Sequence, residues 1–173
     1  MMKMTSAYAN KLIKKLKEDR EYWREIENVR HKYVVAQGEE AIIPEYDFLE
    51  VHRTIADLDD KIIKVKHALN VSNSTNTVEI DGKKYTIDML LVKMAQMTER
   101  KAVLGAMRKL TPKSIVMNSG FGSLRQTPTS AIQCINFDMD VVKVEYDQIE
   151  SFINELLLTL DKYNQTVEFD VDI

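Results

Sequence analysis

A single cysteine, Cys134, excludes a disulfide within the chain and suits a reducing compartment. Five glycines and three prolines are too few for a turn-rich all-β fold. No stretch comes near the roughly 20 apolar residues of a membrane span. The opening MMKMTSAYANKLIKKLKED lacks the apolar core of a signal peptide. The expectation is a cytoplasmic protein with no membrane span. A net charge of −3 gives the molecule no nucleic-acid footprint, so no nucleic-acid partner is expected.

What is present is helical text. The 173 residues are 45% hydrophobic and 29% charged, and they read as one mainly α domain over 1–173. Its organising stretch is 48–69. Steps of seven pick out Phe48, Ile55, Ile62 and Leu69, and Val51, Leu58 and Val65 follow three residues after the first three. On a helix these positions form one narrow apolar stripe that another helix must cover. Residues 5–36 read as that helix, running antiparallel, with Ala9, Leu12, Leu16, Trp23, Ile26 and Tyr33 at helical spacing and Asp19 and Arg30 on the same stripe. Gln37-Gly38-Glu39-Glu40 stops it. Asp47 caps the second helix, with Glu50 placed as capping-box partner.

The text then turns polar, Asn70-Val-Ser-Asn-Ser-Thr-Asn-Thr77. These side chains compete for backbone groups, so a turn ending the second helix is expected. A β-hairpin over 77–86 follows, turning at Asp81-Gly82 and pairing Ile80 with Lys83, Glu79 with Lys84 and Val78 with Tyr85. Asp88 is placed to cap a third helix to about Leu110, with Leu90, Leu91, Met94, Met97, Val103, Leu104 and Met107 as its apolar residues. That completes a long helical arm over 5–110. The stretch 111–130 is the longest irregular one, and loops of that length are often functional. A strand–helix–strand segment over 129–173 closes the chain. It has a strand at 132–137 and a last helix, 140–163, opened by Asp138 or Asp140. Val142, Ile149, Leu156 and Tyr163 repeat along that helix at seven-residue spacing. A short C-terminal strand then puts Val167, Phe169, Val171 and Ile173 on one face. A lone strand needs a partner, and 132–137 is the expected one.

Chemistry-bearing residues are sparse. Glu27 and His31 share a helix face at i,i+4, but His52 and His67 lie elsewhere, and a metal site needs three or four convergent ligands. Ser119-Gly-Phe-Gly-Ser123 looks like a phosphate-cradling loop without the lysine that makes such loops specific. Cys134 sits in an apolar run and reads as a buried structural cysteine. No catalytic set, metal or cofactor is read from the chain. The candidate ligand-binding place is the polar cluster Asn70, Asn73, Thr75 and Asn76. Its amides and hydroxyls would line an anion or water site, or else only satisfy backbone groups.

The order of these landmarks resembles that of the septicolysin-like family of small bacterial proteins. Gln37-Gly38-Glu39-Glu40 matches its break after the first helix. Asn73-Ser74-Thr75-Asn76 and Asp81-Gly82 match its Asn-x-Thr-Asn element and Asp-Gly turn. Ser130-Ala131-Ile132 precedes the last helix, and Leu160-Asp161 and Asn164-Gln165 match its end. The terminal Asn-Trp of the family stands here as Glu168-Phe169, and the charged residues early in its third helix as Met94-Ala95. The resemblance implies a helical, self-associating protein, and the family name implies a haemolytic link.

Acids crowd the chain from Asp138 onward, whereas the first and third helices are basic. This suits packing of the last helix on basic neighbours or on another subunit. Four apolar stripes point to a homo-oligomer, a dimer or a higher ring, with an unknown protein partner as a further option. The leading expectation is a non-enzymatic, self-associating helical scaffold or binding protein. The alternatives are a small-ligand protein or enzyme with its site near 70–77, and a membrane-active cytolysin-like protein.

Overall fold

The structure, a computed structural model, describes residues 1–117 and 130–173. The elements run β1 (Met2–Thr5), α1 (Ser6–Arg30), α2 (Phe48–Thr75), β2 (Thr77–Ile80), β3 (Lys83–Thr86), α3 (Ile87–Met107), β4 (Lys113–Met117), β5 (Ser130–Cys134), α4 (Met139–Thr166) and β6 (Glu168–Val171). The fold is mainly α with small antiparallel β pairs, as the composition predicts. Two compact bodies form: Met1–Met89 with Thr159–Ile173, and Leu90–Leu158.

In the first body the Thr5 hydroxyl accepts from the amide of Tyr8 at 3.3 Å and opens α1. α1 and α2 lie antiparallel: Arg20 Nε meets Asp59 Oδ1 at 2.6 Å, and Arg30 donates to the carbonyl of Glu45 at 3.2 Å. The stripe of α2 behaves as its spacing predicts through Val51, Ile62 and Val65, all buried, while Phe48 at its start stays exposed. Asp47 caps α2, accepting from Leu49 at 2.8 Å and Glu50 at 3.2 Å. α1 stops at Arg30, short of the expected 36. α2 begins only at Phe48, so Tyr33, Val34 and Val35 meet no facing helix and remain exposed.

Two expectations are corrected in this body. α2 does not stop at 69 but runs through the polar text to Thr75. The hydroxyls do not compete the helix away. Ser74 and Thr75 donate back to the carbonyl of Val71 at 3.1 and 2.7 Å, and Ser72 finds a partner in Tyr163. The C-terminal strand, in turn, does not pair with 132–137. β6 pairs antiparallel with β1, Met2 opposite Val171 and Met4 opposite Phe169. That pairing completes a core of Met4, Ala9, Ile13, Val65 and Val171, against which Leu12, Ala68, Leu69 and Phe169 pack. The hairpin of β2 and β3 has the expected register, with Val78 opposite Tyr85, Glu79 opposite Lys84 and Ile80 opposite Lys83. Asp81 and Gly82 take φ of 50° and 70°, the left-handed pair that a type I′ turn requires.

In the second body α3 and α4 also run antiparallel: Lys93 lies over the Phe152 ring, Lys101 Nζ meets Glu150 at 2.7 Å, and Arg108 is 3.9 Å from Asp147. Asp88 sits in the first turn of α3 rather than at its cap position. It accepts from the amide of Met89 at 2.9 Å and from the Thr86 hydroxyl. Asp138 is the residue that opens α4, accepting from Asp140 at 2.8 Å and Val141 at 3.3 Å. Part of the stretch read as irregular is β4, paired with β5 in the register Lys113–Cys134 and Ile115–Ile132. The Ser119–Ser123 motif lies outside the described residues. Cys134, expected to be buried, is exposed, because the strand face that carries it is uncovered. Among the described residues the buried side chains of this body are Leu90, Leu104, Val142, Ile153 and Leu156. Among the described residues no helix is long and apolar enough to cross a membrane.

Candidate functional site

Polar groups from separated parts of the chain meet along the C-terminal half of α2. Helical spacing sets Lys64, His67, Val71 and Thr75 on one side of it, with Ala68 and Ser72 beside them. β6, held there by its ladder with β1, brings up Phe169 and Asp170, and Asp172 follows just beyond it. Together they line a groove of about 510 Å³.

Behind the groove lies a buried polar knot. Ser72 Oγ and Tyr163 Oη are 2.9 Å apart, and Tyr163 also donates to the carbonyl of Ser72 at 3.3 Å. Asn76, the C-cap of α2, donates from Nδ2 to the Ser72 carbonyl at 2.9 Å and to its hydroxyl at 3.1 Å. Ser72 and Tyr163 are each 4% exposed, so unpaired hydroxyls here would cost their full desolvation. The knot ties the last turn of α4 to the last turn of α2.

The groove is charged at its rim. Lys64 Nζ lies 2.8 Å from Asp60. That hydrogen bond, then the Asp60 charge itself, raise the amine above its ordinary value. Desolvation works against them, and the charge of Asp172 adds to the rise. Lys64 and His67 on α2, the carboxylates of Asp170 and Asp172, and the apolar Ala68, Val71 and Phe169 thus border one groove. Such an arrangement suits a small molecule bearing both signs of charge. Among the described residues no three His, Cys, Asp or Glu side chains converge on a metal position.

Of the four residues singled out from the sequence, Thr75 and Asn76 line this groove and Asn70 and Asn73 do not. Asn70 is exposed. Asn73 is half-buried, and its Oδ1 is shielded without a hydrogen-bond partner among the described residues. Lys64, His67 and Ser72 escape sequence reading because the helix was expected to end before its spacing reached Thr75. Asp170, Asp172 and Tyr163 arrive from a distant segment, for which no local signal exists. The Glu27–His31 pair has another use: the His31 ring donates from Nδ1 to the backbone carbonyl of Glu27 at 2.7 Å, closing the end of α1.

A second concavity, about 860 Å³, lies in the other body, lined by Lys101, Arg108, Lys109 and Tyr146 among others. Two of its cations, Lys101 and Arg108, are engaged by the protein itself. The Arg108 guanidinium lies 4.0 Å from the Tyr146 ring centre. The bond to Glu150 raises the Lys101 amine, and the same bond holds the Glu150 carboxyl below its ordinary range.

No family model matches the chain, and no curated protein matches it. A solved structure of a functionally unknown conserved protein from Corynebacterium diphtheriae shares the fold. It has a TM-score of 0.64 and 14% identity over 98% of this chain and 100% of that one.

Proposed function

We propose that the protein is a non-enzymatic, self-associating helical scaffold or binding protein of the cytoplasm. The observation that supports this reading is the set of exposed apolar residues in the second body. Beside the five side chains buried among its described residues stand Leu91, Val92 and Val103 on α3 and Val141, Val144, Leu157 and Leu158 on α4, all exposed. A body of this size with so small a core gains stability by covering such faces. Where such side chains form a contiguous patch, a protein contact is the expected use. Multi-angle light scattering at micromolar concentration tests it. A mass of two or more chains is expected, and a mass near the 20.0 kDa of one chain would overturn it. The resemblance to the septicolysin-like family is consistent with a self-associating helical protein and is proposed on the same footing.

The groove beside α2 favours a second reading, a small-ligand protein whose site includes Thr75 and Asn76. Native mass spectrometry of the purified protein tests it. A retained small molecule lost on Phe169→Ala supports this reading, and a bare polypeptide mass counts against it.

A further inference from the structure

We infer that β5 is the strand through which two copies of this chain pair, edge to edge and antiparallel, into a four-stranded sheet β4–β5–β5–β4. The inference rests on the self-association proposed above and adds a strand pairing to the exposed helical residues named there.

Which groups face outward follows from one bond. The amide of Ile135 donates to the carbonyl of Pro112 at 3.2 Å, which makes that pair a hydrogen-bonded one. Antiparallel ladders alternate, so Gln133 and Ser114 bond each other, while the opposed residues Ile132–Ile115 and Cys134–Lys113 are non-bonded pairs. The N–H and C=O of Ile132 and Cys134 therefore point away from β4, along the edge of β5 that no strand among the described residues pairs.

Such an edge is a template for another strand, and proteins usually guard it with charge. The other strands here follow that rule: β1 carries Lys3, β2 Glu79, β3 Lys83 and Lys84, β4 Lys113, and β6 Glu168 and Asp170. β5 carries none, and Ser130-Ala-Ile-Gln-Cys-Ile-Asn-Phe137 continues without charge, glycine or proline. A second copy is the occupant this edge fits. Two such strands oppose no like charges in any antiparallel register, and a twofold axis closes the pair. The exposed Ile115 and Ile132 would then stand on one face of a four-stranded sheet, where a two-stranded ribbon alone is marginal.

Cys134, the chain's single cysteine, reports on this without any substitution, since its exposed side chain stands on the sheet face and not in the edge. A nitroxide label there, read by double electron–electron resonance, is expected to give one distance of no more than about 25 Å between copies, from strand spacing and rise. Ile132→Lys should return the mass to that of one chain, whereas Ile115→Lys, on the other strand, should leave the assembly in place. A wild-type mass of one chain would overturn both this interface and the reading it rests on. An assembled protein with labels farther apart, or with Ile132→Lys still assembled, would overturn the β5 pairing alone.

Discussion

Ser72 does two tasks with one short side chain: it accepts from the Asn76 amide that caps α2, and it satisfies the hydroxyl of a buried tyrosine. Tyr163→Phe removes one side of that contact but leaves Ser72 Oγ its bond from Asn76, so a loss of about 0.5–1.5 kcal/mol is expected in chemical denaturation. Asn70→Ala, one helical turn or less away but exposed, should fall within about 0.5 kcal/mol of wild type. The contrast also shows why the site was half legible. Residue type flagged the right stretch, but which amide or hydroxyl turns inward depends on Tyr163 and β6, and these are far away in sequence. The Lys101–Glu150 pair makes a pH prediction. The Glu150 carboxyl is lowered in the folded protein, so its contribution is present above the ordinary carboxyl range and is lost as pH falls through the folded value. Lys101 is raised, so its share persists at neutral pH and is lost only as pH rises through the folded amine value. Glu150→Gln should therefore show a small deficit in Tm at pH 7 that disappears as the pH is taken below 4.5.

Elements differ in how much of themselves they declare. The β2–β3 hairpin was legible to the residue because Asp81-Gly82 and the flanking pairs are a local matter of turn geometry. Gly82→Ala, with φ of 70° and open space around the position, meets no clash and should cost only the conformational penalty, about 1–2 kcal/mol by thermal melting. The stripe of α2 was legible for the same reason, since period and burial coincide along one helix. The partner of β6 was not. Alternation announces a strand but never its neighbour, and β1, only four residues long, gave no strand signal of its own. Deleting 168–173 should uncover Met4, Val65 and the rest of that core, and a marked fall in Tm is expected. An unchanged melt would mean the core closes without β6.

At the scale of the molecule, the two bodies are unequally furnished. The first closes a core across two helices and a terminal sheet, while the second, among the described residues, buries only Leu90, Leu104, Val142, Ile153 and Leu156; both carry exposed apolar residues. Hydrogen exchange should follow that inequality. Amides of α3, of the first part of α4 and of β5 should gain protection as protein concentration rises from nanomolar to micromolar, and those of α1 and α2 should not. Protection independent of concentration throughout would speak against association.

The β1–β6 ladder also has a consequence in time. On a ribosome, Met2 emerges long before Val171, its partner across the sheet. The α1–α2 hairpin joins near neighbours and can settle early, but the strand preceding α1 must wait until α4 and β6 are made. In the meantime the whole of Leu90–Leu158 is synthesised as an insertion within an unfinished body. The first body to begin is thus the last to close, and until it does, Met4, Ala9 and Val65 present an open apolar surface to whatever attends the nascent chain.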